Sequence, residues 1–447
     1  MLLTLPLSPS MAFAAAPNHG QAQLELSLLD LPYNAAYGLR APSMDQSLDL
    51  AFAVDRLAVY GLRRGFDQVD NPGLRYGLGF PALGALNFLM MYGPIAWSHE
   101  EWHRAVLGSQ GIHSRDALYH PSAWHDGLIP VDQVSDADLA RLKAEDPANT
   151  VRLMEAGMEA QEALVRRIGD ELFLHDTRGK QRGPLYSSES WMAMSMQVAE
   201  IAGLIYDMNC ASPSSDARTD AVNRITLTEM SRDFTGLDCN AWIYDMRRPD
   251  EPYEARGPHP YGEGIDRYRS LEDLSLEEQQ ALKNQVKLHF INVLNPQLFY
   301  IDGFALPSGG GDRWIASLGQ QQTPFGWVID GRFGLRKGGW SSVAGAHLYV
   351  SGERVSPGFD LVVPDVELWG PLSVDLGAGL WLQPKELRWD AERLQPGGLL
   401  SVRARASLRP GVDAFLALDA KTAGWVMGQE ALDAQVGARS GLVVHLP

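Results

Sequence analysis

Five consecutive residues, His99-Glu100-Glu101-Trp102-His103, have the types and the spacing of a metal site. Two histidines four positions apart project from the same face of an α-helix, so one ion can accept a nitrogen atom from each. Glu100 would lie beside that ion, where its carboxylate could take a proton from an attacking water molecule. The segment therefore predicts metal-assisted hydrolysis, with His99 and His103 as ligands and Glu100 as the general base.

A third protein ligand is needed if the fourth position of the ion is to stay open for water. Glu155 and Glu159 are four residues apart in a long helical pattern and share one face of the helix. Gly157 between them, which costs about 1 kcal/mol relative to alanine in a helix interior, makes sense if another helix approaches closely there. Glu159 is our preferred third ligand and Glu155 the alternative. The loop after the motif offers further candidates, which are His113, His120 and His125.

The motif resembles that of the HExxH zinc metallopeptidases, and the segment around Glu159 looks like the later helix that supplies the third ligand in the gluzincin class. The resemblance covers about residues 98–161. It implies a zinc ion bound by His99, His103 and Glu159, catalysis through Glu100, and a peptide or protein substrate. Apart from this resemblance, iron held by His99, His103, Glu155 and Glu159 is an alternative to zinc, because glutamate and histidine residues on helices also build di-iron sites.

The element that leads into the motif is apolar. Residues 80–97 contain no charged side chain and end just before His99. This length is at the lower limit for a membrane-spanning helix, but Pro81, Asn87 and Pro94 also suit a helix buried in protein. A helix is expected in either case, so the two histidines would lie in an apolar environment that strengthens the pull of zinc on a carbonyl oxygen.

The helical pattern continues for most of the chain. Residues 1–20 combine an apolar run with a stretch of small residues, as a secretory signal does. Residues 21–305 are predicted to form a mainly helical metal-binding domain. Besides the apolar run, the predicted helices cover residues 44–62, 148–174, 187–208, 220–245 and 276–304.

Residues 306–447 change to short alternating runs and are predicted to form an antiparallel β domain. Polar side chains on one face and apolar ones on the other are typical of a membrane barrel with a polar lumen, but also of a one-sided soluble sheet. The last segment resembles the closing hairpin of bacterial outer-membrane barrels, although it lacks their terminal aromatic residue. The predicted strands are residues 325–335, 343–351, 359–368, 372–382, 399–408, 412–422 and 436–446.

Charge and composition narrow the function further. A net charge of -17 argues against general nucleic-acid binding, which needs clustered Lys and Arg. Cys210 and Cys239 are too few for a disulfide scaffold, although they could form one bond. We therefore expect an α+β, membrane-associated zinc metallopeptidase, exported to the periplasm or outer membrane of a Gram-negative bacterium. The alternative is a non-catalytic envelope protein, in which the sheet or barrel is the working part and the helices form a plug or scaffold.

Overall fold

Helices form the first part of the chain and strands the last part, which confirms the predicted α+β class. The computed structural model describes residues 23–38, 41–120, 130–174, 188–299, 313–337 and 340–446. The signal predicted for residues 1–20 lies outside them. The helices are α1 (Tyr33–Tyr37), α2 (Met44–Asp67), α3 (Pro72–Met90), α4 (Ala96–Ser109), α5 (Asp136–Glu145), α6 (Pro147–Leu174), α7 (Ser188–Cys210), α8 (Ser214–Asn223), α9 (Asp238–Arg247) and α10 (Leu276–Val293). The strands are β1 (Gln23–Leu31), β2 (Arg115–Asp116), β3 (Val131–Asp132), β4 (Arg313–Thr323), β5 (Gly326–Lys337), β6 (Trp340–Ser351), β7 (Arg354–Trp369), β8 (Leu372–Pro384), β9 (Leu394–Arg409), β10 (Val412–Lys421) and β11 (Gln435–His445).

The large sheet has nine antiparallel strands in the order β1-β11-β10-β9-β8-β7-β6-β5-β4. It is not closed as a barrel, because β1 and β4 form its two edges. Strands β5 to β11 coincide with the predicted strands, whereas β1 and β4 were not predicted. Three consecutive glutamines interrupt the alternation of β4, and β1 lies far from the other strands in the sequence, so the pattern did not identify either one.

The predicted helix over residues 220–245 is wrong, because two separate helices, α8 and α9, occupy this region. Gly236, just before α9, has a φ of 81°, which favours glycine and interrupts any continuous helix. This interruption matters for the site, because it places Asp238 at the first position of α9.

The apolar run does form a helix. Helix α3 continues through a short π-helical segment, Met91–Ile95, into α4, which carries the histidine motif. Pro94 within this segment has no N–H to donate, which is consistent with a local change in the hydrogen-bond pattern. Among the described residues, Gly73–Ser109 is the one helical stretch long and apolar enough to cross a membrane, with a mean hydropathy of 1.3 and 28% of the window buried.

Helix α6 connects the helical region to the sheet. Its first half packs against α4, where Trp102 is fully buried in the same core as Leu153 and Met154. Its second half faces the sheet through ion pairs, with 2.8 Å between Arg166 Nη2 and Asp330 Oδ2 and also between Arg332 Nη1 and Asp170 Oδ1. The position of α4 is therefore fixed by the helix that also contacts the polar face of the sheet.

Candidate metal centre

Three buried side chains from two distant parts of the chain converge at one point. His99 and His103 lie on α4, and Asp238 begins α9. Asp238 Oδ2 is 2.9 Å from His99 Nε2 and 3.4 Å from His103 Nε2. One ligand atom from each residue lies within 4.8 Å of the others, and two imidazoles with one carboxylate are a set that zinc accepts at catalytic sites.

The backbone around the site orients the second histidine. His103 Nδ1 lies 2.7 Å from the carbonyl oxygen of Leu153, so it is the ring nitrogen that donates a proton. This contact directs Nε2 towards Asp238, and Nε2 is buried without a hydrogen-bond partner among the described residues. A ring held by a carbonyl on one nitrogen, with the other nitrogen available, is the usual arrangement of a metal-bound histidine.

Gly157 makes room for both imidazole rings. A β-carbon at this position would lie 2.3 Å from His103 Nε2 and 2.4 Å from His99 Nε2, distances that no side chain can occupy. A glycine inside a helix is unfavourable by about 1 kcal/mol relative to alanine. The sequence predicts a close approach of another helix at Gly157. In the structure α6 approaches the motif at this residue, which explains why a glycine is found there.

Asp238 is held in place by its neighbours on α7. Tyr206 donates a hydrogen bond from its hydroxyl to Asp238 Oδ2 at 3.1 Å and accepts one from the Asp238 backbone N–H at 3.1 Å. The next residue, Cys239, forms a disulfide with Cys210 at the end of α7, with 6.2 Å between the two Cα atoms. The disulfide that the sequence left open therefore links the two helices beside the candidate ligand.

The site is strongly acidic. Burial alone would raise the pKa of Asp238, but His103 and His99 bring it below its ordinary value. Burial raises the pKa of Asp233 to about 7, and the nearby Asp238 adds to the effect. The pKa of Glu100 is raised well above its ordinary value by burial and by Asp233 and Asp238. This concentration of carboxyl groups favours a bound cation.

The two consecutive glutamates of the motif have different environments. Glu101 is fully buried and accepts two hydrogen bonds from Arg104 Nη1, at 2.6 and 2.8 Å, and one from the Tyr119 hydroxyl at 3.1 Å. Its carboxylate is therefore committed to an ion pair. Glu100 is partly exposed, next to the candidate ligands, and remains the candidate general base.

Neither Glu159 nor Glu155 belongs to the group of ligand atoms that His99, His103 and Asp238 form. Arg152, on the same helix, forms ion pairs with both carboxylates, and the Arg152 Nη1 to Glu155 Oε1 distance is 2.6 Å. Glu159 Oε1 also accepts a hydrogen bond from the Gly428 N–H at 2.6 Å. Both glutamates are buried and engaged in this cluster, whereas Asp238 occupies the place beside the histidines.

The remaining histidine candidates do not join the group either. His113 and His120 are exposed, and His125 lies outside the described residues. Sequence reasoning missed Asp238, Asp233 and Tyr206. The helix break at Gly236 was the available signal for Asp238, because it turns an apparent mid-helix aspartate into one at a helix start.

No protein-family model, no curated protein and no solved structure matches this chain.

Proposed function

We propose that this chain is a zinc-dependent hydrolase, acting on peptide bonds, in which His99, His103 and Asp238 hold the metal. The observation that carries the proposal is the convergence of the two Nε2 atoms on Asp238 Oδ2, at 2.9 and 3.4 Å. Asp238 thus replaces Glu159 as the third ligand that we infer. With three protein ligands, a tetrahedral ion keeps one position for water or substrate.

The residues around the metal position have distinct roles in this proposal. A zinc ion bound there would lower the pKa of a water molecule and polarise the carbonyl group of a substrate. The charge of a zinc ion beside Glu100 would lower the raised pKa of its carboxyl group, so that Glu100 could take the proton of the attacking water and deliver it to the leaving amine. Tyr206 positions Asp238, and Leu153 fixes the ring of His103.

Two histidines and one carboxylate also suit non-haem iron, so the donor set alone does not select zinc. Glu100, next to the first histidine, favours hydrolysis, because that reaction needs a base to take a proton from the attacking water. Glu101 cannot take this role, because Arg104 and Tyr119 already engage its carboxylate.

The proposed activity is tested by comparing Glu100→Gln with Glu101→Gln on labelled casein and a mixed peptide library. Glu100→Gln should lower the rate by about 10²- to 10⁴-fold, because general-base catalysis contributes about that much. Its zinc content should equal that of the wild type. In folded Glu101→Gln protein, the amide oxygen still accepts from Arg104, so activity should persist. Equal rates for Glu100→Gln and wild type, or no cleavage by zinc-loaded wild type, would contradict the proposal.

We further propose that the protein works at a membrane, with lipid against the outer face of the sheet. Leu418, Val402 and Leu376 are directly opposite one another on neighbouring strands, and each is between 43% and 52% exposed. On the other face, Arg403 is paired with Glu25 at 2.8 Å. Apolar residues outside and ion pairs inside are the arrangement expected of a sheet that contacts lipid.

Flotation with phospholipid vesicles tests this location. Wild-type protein should float with the vesicles, whereas Val402→Lys should remain in the soluble fraction, because a lysine on a lipid-facing strand is unfavourable by about 2–4 kcal/mol at the bilayer midplane. Ser407→Lys, on the same strand and beside Asp413, is the control and should float. If the wild type does not float, or if Val402→Lys floats equally well, lipid contact at this face is contradicted.

A further inference from the structure

A second group of metal-binding side chains lies among helices α6, α7 and α10. Glu162, Glu200 and His289 each offer one ligand atom, and these atoms lie within 4.8 Å of one another. Glu200 and His289 are buried, with relative exposures of 3% and 6%. Each residue comes from a different helix, so the group joins three helices at one point.

Asp207 and Glu200 hold the ring of His289 from two sides. Its Nδ1 lies 2.9 Å from Asp207 Oδ2, and a carboxylate on this nitrogen fixes the ring and raises the basicity of the other nitrogen. Its Nε2 lies 3.1 Å from the carbonyl oxygen of Glu200 and 3.6 Å from Glu200 Oε2, so both ring nitrogens carry a proton in this structure and the Nε2 proton must leave before an ion binds there. Asp207 is itself held by Gln285, whose Nε2 donates to Oδ2 at 3.1 Å.

The carboxylate of Glu200 is the second, independent indication of a ligand. Its Oε2 is buried and has no hydrogen-bond partner among the described residues. A buried carboxylate oxygen without a hydrogen bond is costly, and a bound cation removes that cost. Glu162, the third member, is fixed by Asn292, whose Nδ2 donates to Glu162 Oε1 at 2.6 Å.

The charges of the group are not balanced by the protein side chains that contact it. Three carboxylates, Glu162, Glu200 and Asp207, face one imidazole. Burial raises the pKa of Glu162 well above its ordinary value, and the proximity of Glu200 adds to this rise. Arg166 lies nearby, but its guanidinium pairs with Asp330 at 2.8 Å.

The surroundings leave space for an ion. Two small cavities border the group: one of about 20 Å³ is lined by Glu162 and His289, and one of about 40 Å³ is lined by Glu162 and Glu200. Gly203 on α7 permits the close approach of His289, since a β-carbon there would lie 2.8 Å from its Cε1. Gly157 provides the same clearance for the histidines of the first centre.

We propose that Glu162, Glu200 and His289 bind a second divalent metal ion, which holds α6, α7 and α10 together. One imidazole and two carboxylates suit Mn²⁺, Fe²⁺ or Zn²⁺ more than a thiolate-seeking ion. The second site adjoins the first through α7, where Asp207 orients His289 and the preceding Tyr206 contacts Asp238. This inference does not depend on hydrolase activity.

Metal analysis of four full-length proteins tests the proposal. Wild type, His99→Ala, Glu200→Gln and Glu25→Gln are equilibrated with Zn²⁺ or Mn²⁺, freed of unbound metal, and analysed by mass spectrometry. Wild type should hold two ions per chain, and His99→Ala and Glu200→Gln should each hold one. Glu25→Gln removes a buried carboxylate from β1 outside both groups and should hold two.

The outcomes separate this site from the first one. Loss of an ion in Glu200→Gln supports the second site whatever His99→Ala does. A wild type with one ion that only His99→Ala loses, or no ion at all, would overturn the second site. If Glu200→Gln does not fold, His289→Gln replaces it. The melting temperature of His99→Ala should also rise on addition of Mn²⁺, and no rise would contradict the proposal.

Discussion

Asp238 Oδ2 lies 2.9 Å from His99 Nε2, although 139 residues separate the two along the chain. The contact depends on α9 starting at Asp238 and on α7 holding it through Tyr206 and the Cys210–Cys239 disulfide. The motif on α4 therefore supplies only part of the candidate centre. The remaining candidate ligand, Asp238, is brought to the two histidines by the tertiary structure.

The third ligand can be identified by comparing two buried carboxylates. Asp238→Asn should weaken zinc binding by more than about 10-fold, because an amide is a poorer ligand than a carboxylate. Glu159→Gln should retain zinc, because its side chain faces Arg152. Titration of metal-free protein with zinc measures both affinities. Zinc loss in Glu159→Gln with retention in Asp238→Asn would restore the assignment made from sequence.

The close approach at Gly157 gives a second prediction. In Gly157→Ala the new methyl group would collide with both imidazole rings, so zinc affinity should fall and stability should decrease by about 1–3 kcal/mol. Gly61→Ala is the control, because no atom lies within 4 Å of a β-carbon at this position of α2. It should raise the free energy of unfolding by about 0.4–1 kcal/mol. Denaturant unfolding measures the stability of both variants, and zinc titration measures the affinity of Gly157→Ala. An unchanged zinc affinity in Gly157→Ala would contradict the close approach of this residue to the two imidazole rings.

The ionisation of His347, on the inner face of the sheet, should make the free energy of unfolding depend on pH. His347 lies between Asp330 and Asp360, with Arg166 and Arg332 nearby. Burial would lower its pKa, but the two aspartates raise it from 6.5 to about 9. The folded state therefore favours the protonated ring, so its contribution is complete below pH 6.5 and is lost as the pH rises to about 9.

The difference in unfolding free energy between wild type and His347→Gln measures this contribution. The raised pKa corresponds to about 3 kcal/mol in favour of wild type near pH 6. The difference should shrink towards zero near pH 10. A difference that stays constant across this range would show that His347 contributes by packing and not by its charge.

Local patterns in the sequence were sufficient for part of the site. The His99 and His103 spacing predicted a shared helix face, and Gly157 predicted a close helix approach; both features are present. The preference for Glu159 did not consider Arg152, which is seven residues earlier on the same helix. Arg152 on that face pairs with both glutamates, and the spacing that allows this pairing is present in the sequence.

Contacts between distant parts of the chain could not be predicted from local sequence patterns. The pairing of β1 with β11 joins residues from opposite ends of the chain, as in Glu25 opposite Val443. Alternation identifies a strand but does not identify its partner. Asp238 was hidden for a similar reason, because its role depends on where α9 begins and on contacts with α4 and α7.

Zinc content, measured by mass spectrometry on wild type and His99→Ala purified without added metal, tests the central claim most directly. The proposed centre predicts one zinc ion fewer per chain in His99→Ala than in wild type. Equal zinc content in the two proteins, or no zinc in either, would contradict a zinc centre at His99, His103 and Asp238.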